Sequence, residues 1–386
     1  VTTSHRPPLQ TTALNIPEGM IDFGAGQPSL SLLPIEALQR AADHCLRKGN
    51  PELLAYGTEQ GDGYFRRALS EFLTRRYATV VNEDHLFVTC SASQALDLIC
   101  TRFTKHGDTI FVEQPTYFLA LLVFRDHGLN VVGIPVDNQG MRIDALEEAL
   151  MRHRPVLVYT IPTFQNPSAV TLSAERRARL IALSQQHNFL VVADEVYHLL
   201  DFDSARPAPL ASFSETGRVL SLGSFSKICA PGLRLGWIQT GADHIATLNT
   251  SGLVESGGGL NPFTSGVMRS MLELGLQDTC LDHLRAVYRT RCATLCEAVR
   301  HHLPTAAFVE PEGGFFVWIA LPEGRTASSL LKEARTKGVS FQPGRRFGSH
   351  AGLDRFLRLS FAYYEETELV EGVRRLAGVL RDAQVG

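Results

Sequence analysis

The sequence predicts an α/β protein: a large domain with a mainly parallel central sheet flanked by helices, plus a smaller α+β domain. Three observations carry this. The runs HLFVTC, DTIFVEQP, NVVGIPV, VLVYTIP, FLVVADEVY, RVLSLGS and RLGWIQT are short, rich in Val, Ile and Leu, and apolar along most of their length, as strands covered on both faces must be. Helical patterns such as LSAERRARLIALSQQH separate most of them, which is the alternation of a parallel sheet. At 386 residues the chain exceeds the size at which one core stops growing, so a second domain is expected.

The elements follow in order. The first 20 residues carry three prolines and little periodicity, which reads as an extended arm packed on another surface. PIEALQRAADHCLRK, from Pro34 to Lys48, repeats its apolar residues at helical spacing, and PELLAYGTEQGDGYFRRALSEFLTRRY reads as a loop and a second helix. The strands and their helices fill the middle. Beyond about residue 285, DHLRAVYRTRCATLCEAVRHHL is helical, GGFFVWIAL a strand, SSLLKEARTKG a helix, FLRLSFA a strand, and a last helix ends the set. The expected division is an N-terminal arm and small-domain segment over 1–50, a large ligand-binding domain over 51–285 and a small domain over 286–386.

Composition narrows the function. Lys plus Arg number 37 against 40 Asp plus Glu, a net charge of -3, so no general attraction for nucleic acid or an anionic membrane is expected. No stretch approaches the roughly 18 apolar residues of a membrane span, and VTTSHRPPLQ lacks the pattern of a secretion signal. A cytoplasmic enzyme is expected. Seven cysteines without a CxxC pair argue against a disulfide framework or a zinc site, so no metal is expected. Cys292 and Cys296, four apart, read as buried packing.

The chemistry should lie in loops at the carboxyl ends of the strands. RVLSLGSFSKICAPGLRLGW places Ser224, Ser226 and Lys227 just after a strand, with Arg234 seven residues on. Such a loop offers hydroxyls and a guanidinium to a phosphate and an amine to an aldehyde; read alone, Lys227 is a solvated loop lysine. Asp194 closes the apolar FLVVADEVY, where a carboxylate is costly unless paired or hydrogen-bonded. A protonated ring nitrogen satisfies that need, and so does a place at a helix N-cap.

PTFQNPSAV with Asn166, ADEVY with Asp194 and Tyr197, and GSFSK with Lys227 followed by Arg234 occur in the order and approximate spacing of the fold-type I, class I/II pyridoxal-phosphate (PLP) aminotransferases, which the chain resembles. The likeness covers nearly the whole sequence. FGAGQPS, with Gly26, is similar to the family's glycine-containing substrate loop, and YGTEQGDGYFRRAL to a further segment, with Phe65 where leucine is usual. TCSASQALDL resembles the phosphate-binding turn, EQPTY the strand supplying a ring-stacking aromatic, and PEGGFFVW, FQPGRRF and LRLSF small-domain landmarks. The nearest branch contains aminoadipate and kynurenine aminotransferases.

The resemblance implies the PLP-dependent transferase fold type I and pyridoxal 5'-phosphate as cofactor. It makes Lys227 the residue that forms an aldimine with the cofactor and then shuttles a proton between the substrate α-carbon and the cofactor C4'. Asp194 would keep the pyridine nitrogen protonated, Asn166 and Tyr197 would hydrogen-bond its phenolic oxygen, and Tyr117 would stack on the ring. Ser93 and Gln94 at a helix start, Ser224, Ser226 and Arg234 would hold the phosphate, with Ala92 where glycine is commoner. Tyr56 resembles the tyrosine that reaches the neighbouring subunit's phosphate, which implies a homodimer with shared active sites. Arg358 in FLRLSF would grip the substrate α-carboxylate, with Asn166 and Gly26 beside it. Arg345 and Arg346 are open between a second acidic group and a solvated loop.

The implied activity is transfer of the amino group of an α-amino acid to a 2-oxo acid through a Lys227 aldimine and a pyridoxamine phosphate intermediate. One alternative keeps the cofactor and breaks another bond, as in β-elimination, decarboxylation or oxidative deamination, since one fold hosts several chemistries. Ser168 and Ala169, where Thr and Gly are more usual, leave room for it. The other is a PLP-sensing regulator, which needs a DNA-binding segment ahead of this domain; none is expected here.

Overall fold

The computed structural model describes residues 12–202 and 206–385; of the expected arm, residues 1–11 lie outside the described residues. The strands are β1 (Ile21–Asp22), β2 (Leu86–Thr89), β3 (Thr109–Gln114), β4 (Asn130–Asp137), β5 (Gly140–Met141), β6 (Leu157–Thr160), β7 (Leu190–Asp194), β8 (Val219–Ser224), β9 (Gly236–Thr240), β10 (Ala307–Phe308), β11 (Phe316–Ala320), β12 (Val339–Ser340), β13 (Gln342–Pro343) and β14 (Phe356–Ser360). The seven apolar runs form β2, β3, β4, β6, β7, β8 and β9.

The central sheet has the order β2-β9-β8-β7-β6-β3-β4-β5. From β8 through β7, β6 and β3 to β4 every pairing is parallel, while β9 runs antiparallel to both β8 and β2. Every residue of β2, β6, β8 and β9 is buried, the physical reason these runs do not alternate. The two-residue β5 is too short to carry a period and was not legible in sequence.

Local chemistry sets the helices between strands. Helix Ala92–Phe103 starts at Ser91, whose Oγ accepts from Gln94 N–H, and helix Ala174–His187 starts at Ser173, whose Oγ accepts from Arg176 N–H. The latter ends at Asn188, at φ 58°, a conformation that Asn tolerates better than most side chains. Phe65, in the place of the usual leucine, is fully buried and packs against Phe225 at 6.2 Å. Phe225 in turn meets Trp237 at 5.3 Å, so this aromatic stack lies directly beneath the turn that carries Lys227.

The smaller sheet is antiparallel, in the order β10-β11-β14-β13, and β1 pairs with β12 in parallel. Two details divide the chain differently from the expected borders. Although β1 joins the small domain, helix Ile35–Arg47 packs on helix Pro262–Glu273 of the large one, so residues 1–50 are shared between the two. The border at 285/286 falls inside one helix, Leu276–His302. Its start is tied to the large domain by Gln277 Nε2 donating to Ile228 O at 2.8 Å, and its middle to the small one by Arg291 Nη1 donating to Ala362 O at 3.2 Å. One helix thus contacts both sheets' surroundings within a single contiguous core, so no composition change marks the crossing. No helix among the described residues is long and apolar enough to cross a membrane.

Candidate active site

The carboxyl ends of β6, β7 and β8, the start of helix Ala92–Phe103 and the small-domain residues Phe316 and Arg358 enclose a cavity of about 440 Å³. This is the place where an open α/β sheet binds its ligands.

Lys227 follows β8 in the short helix Phe225–Ile228 and projects into the cavity. Its Nζ donates to Gly26 O at 2.7 Å, so the small substrate loop and the lysine are in contact from the outset. Burial, and then the charge of Arg358, lowers its pKa to about 8 despite the opposing pull of Asp194. The solvated-lysine reading is thereby excluded by placement.

Asp194 ends β7 and is buried. Its Oδ2 accepts the Tyr159 hydroxyl at 2.8 Å, whereas its buried Oδ1 has no protein partner. Burial raises its pKa to about 6, against the hydrogen bonds from Tyr159 and the Val196 backbone. Asp194 lines the cavity, and a buried oxygen with its acceptor capacity unspent asks for a donor.

Asn166 and Arg358 meet across the domains: Arg358 Nη1 donates to Asn166 Oδ1 at 2.8 Å and Nη2 to Gly24 O at 3.1 Å, while Nε has no partner. The guanidinium carbon lies 3.8 Å from the centre of the Phe316 ring and 5.1 Å from that of Phe347, within cation–π range. Burial brings its pKa down to about 10. The side chains of Asn166 and Tyr197 are hydrogen-bonded, and burial raises the Tyr197 phenol well above its ordinary value. Tyr117 lines the cavity as well, pushed up to about 12 chiefly by burial. Gly26 leaves room for Phe316, because a Cβ there would stand 3.3 Å from that ring.

At the other end lie Ser93, Ser224, Ser226 and Arg234. Ser224 Oγ accepts from Ser226 N–H at 3.1 Å, folding the hydroxyls together. Arg234 is held at φ 47°, a strained conformation for a side chain with a Cβ, and its carbonyl is gripped by the Asn261 amide. Ala92 is helical, and the unusual backbone falls one residue earlier, on Ser91 at φ 153°. The Gln94 side chain and Tyr56, the latter expected at the neighbouring subunit's site, are not part of this cavity wall. The Gln94 side chain turns back so that Oε1 accepts Cys90 N–H at 3.1 Å, because the helix start leaves that donor otherwise unserved. Tyr56 is 90% exposed and lies outside the lining.

The comparisons with known proteins agree on one family. The model of aminotransferase class I and II matches residues 18–376. An aromatic-amino-acid aminotransferase of Thermococcus litoralis is 35% identical over 94% of this chain and 88% of its own length. A multiple substrate aminotransferase of Thermococcus profundus superposes with TM-score 0.90 at 33% identity, covering 96% of this chain and 93% of its own. The kynurenine aminotransferase of Pyrococcus horikoshii, solved with pyridoxamine phosphate, gives TM-score 0.89 at 32% identity over 95% and 92%.

The chain belongs to the class I and II aminotransferases. It is a PLP-dependent enzyme of fold type I that moves the amino group of an α-amino acid to a 2-oxo acid. The aminotransferase's own atoms fit the cofactor: the unpartnered Asp194 Oδ1 matches a pyridinium N–H, the Lys227 amine matches an aldehyde, and the paired serines with Arg234 match a phosphate.

Sequence reasoning missed four residues of the aminotransferase's site. Tyr159 looked like core in VLVYTIP, and Ser91, not Gln94, is the polar side chain at the helix start that lines the cavity. Glu113 is fully buried behind it and accepts from Thr160 Oγ1 at 2.8 Å, Ile161 N–H at 3.0 Å and Gln165 Nε2 at 3.2 Å. Gln165 also donates to Pro115 O at 2.6 Å. Together Glu113 and Gln165 tie the turn before Tyr117 to the turn that presents Asn166. A carboxylate near the end of an apolar run was the available signal.

Proposed function

We propose that Lys227, Asp194, Asn166, Tyr197, Arg234 and Arg358 perform the transfer, and that the amino donors are α-amino acids with aromatic or extended apolar side chains. The observation that carries the reading is the convergence, in one cavity, of a half-buried lysine of pKa about 8 and a buried carboxylate with one free oxygen. When bound, the cofactor supplies an electron sink for the α-carbon bond. Around it the protein does the rest. Arg358 orients the substrate by its α-carboxylate, its guanidinium supported by the Phe316 ring. Lys227, neutral above about 8, would be the base that takes the proton from the substrate α-carbon and delivers it to the carbon on the far side of the amino nitrogen. Asp194 would keep a negative charge against the ring nitrogen, while Asn166 and Tyr197 would hydrogen-bond the oxygen beside the aldehyde. Ser93, Ser224, Ser226 and Arg234 would hold the phosphate, and Tyr117 would pack on the ring. Phe118, Leu119 and Val123 supply an apolar wall suited to the proposed side chains.

We further infer a homodimer in which Tyr56 reaches the partner's site, supported by the exposed, mostly apolar set Leu54, Tyr56 and Leu253. A cytoplasmic location is supported by seven cysteines that are all free, the state that reducing compartments maintain.

The test is a panel of amino acids mixed one by one with the holoenzyme, with the bound cofactor's absorbance read for conversion to the amine form. Aromatic and long apolar donors should convert it and a 2-oxo acid should restore it. Loss of the reading would follow if no α-amino acid converted the cofactor, or if borohydride fixed the pyridoxyl group to a lysine other than Lys227.

A further inference from the structure

We propose that Tyr159 is a positioning residue for the reaction: its hydroxyl holds the Asp194 carboxylate ionised and turned so that Oδ1 faces the cofactor nitrogen. The proposal rests on the reading of Asp194 given above and adds the residue that makes it work.

The sheet register places the pair. In the parallel pairing of β6 with β7, Tyr159 stands opposite Val192, so Asp194, two residues on, projects from the same face one step toward the carboxyl end. A tyrosine side chain has the reach for that diagonal, and its hydroxyl arrives 2.8 Å from Asp194 Oδ2. The ring is fully buried and meets Phe124 edge-on at 5.4 Å and 72°, which leaves the hydroxyl little freedom. Thr160, on the opposite face of the same strand, serves Glu113 instead.

Chemistry fixes the direction of the bond. The Tyr159 phenol is raised far above its ordinary pKa by burial and by the Asp194 charge, so it stays protonated and donates. A carboxylate that accepts a hydrogen bond is favoured over the neutral acid, and here that favour opposes the burial that raises Asp194. Because Tyr159 occupies Oδ2, the carboxylate is held against rotation, and Oδ1 is left without a protein partner in a residue that lines the cavity. Neutral Asp194 could not hold a proton on the ring nitrogen; a rotated one would present its free oxygen to the wall.

Tyr159→Phe removes the hydroxyl and keeps the ring. In the cofactor-free protein, the titration of Asp194, followed by carboxyl carbon NMR, should move up by about one to two pH units, the size expected for a hydrogen bond to a charged group. Cofactor dissociation from the holoenzyme should quicken about tenfold, and kcat at neutral pH should fall by a similar factor while KM for the amino acid stays unchanged. Phe124→Leu loosens the ring but keeps the hydroxyl, so it should lower thermal stability without moving the titration. If Asp194→Asn loses the cofactor readily while Tyr159→Phe titrates and binds like wild type, the proposal fails and the reading of Asp194 stands. If Asp194→Asn itself holds cofactor and reacts like wild type, both fall.

Discussion

Arg358 on β14 donates from Nη1 to Oδ1 of Asn166 at 2.8 Å, joining residues from the two domains at the point where the substrate must sit. Of its remaining donors, Nη2 takes Gly24 O and Nε is buried without a partner. The guanidinium thus keeps an unspent donor in a residue that lines the cavity, as a residue that binds an anion requires.

Arg358→Lys should therefore lower kcat/KM for α-amino acids by about a hundredfold, since a point charge replaces a planar fork. Amines without a carboxylate should lose far less. Comparing the two substrate types in the same half-reaction assay separates loss of carboxylate recognition from general damage.

The rate at which added PLP becomes attached to the cofactor-free protein should rise with pH and level off above about 8, where Lys227 becomes neutral. The sign is set by the lowered pKa: the unfolded chain holds the extra proton between about 8 and 10.5. This lysine thus costs stability most fully below about 8, and the cost fades as pH rises toward 10.5. Arg358→Gln should shift the attachment midpoint upward, because the guanidinium is one cause of the lowering. Stopped-flow absorbance across a pH series checks both.

Glu113 has its pKa raised by burial to about 7 from 4.5. Its folded form holds a proton longer than the unfolded form, so the stability it contributes is present below 4.5 and is lost as pH rises through about 7. Glu113→Gln should flatten that part of the pH profile. It would also set an amide N–H against one of the donors now served, at a cost of about 1–3 kcal/mol in acid, and loosen the turns that present Tyr117 and Asn166. Urea midpoints of the cofactor-free protein at several pH values read the effect.

Ala169, where glycine is more usual, sits at φ 62°. A Cβ in the left-handed region costs about 1–2 kcal/mol, partly offset by the greater unfolded-state freedom of glycine. Ala169→Gly should raise the urea midpoint by an amount equivalent to about 0.5–1 kcal/mol and leave the specificity for donors unchanged.

Much of the fold was legible because the strands are covered on both faces and so read as plain apolar runs and because helical periodicity separates most of them. The lysine turn and the carboxylate of ADEVY were legible as short motifs. The direction of the Gln94 side chain was not legible, since a glutamine at a helix start can face the ligand or fold back on the backbone, and only the local geometry chooses. Tyr159 and Glu113 stayed hidden because a polar tip in an apolar strand has its partner on another strand.

Chain-local chemistry determined the strands, most helices and the short motifs that carry the family likeness and point to Lys227, Asp194 and Arg358, since periodicity and short motifs are properties of neighbouring residues. The tertiary structure alone decided which oxygen of Asp194 is free, that Arg358 reaches Asn166 across 192 residues of chain, and that one helix serves both domains. Those are matters of register and packing, in which distances of a few ångströms are set by residues far apart in sequence.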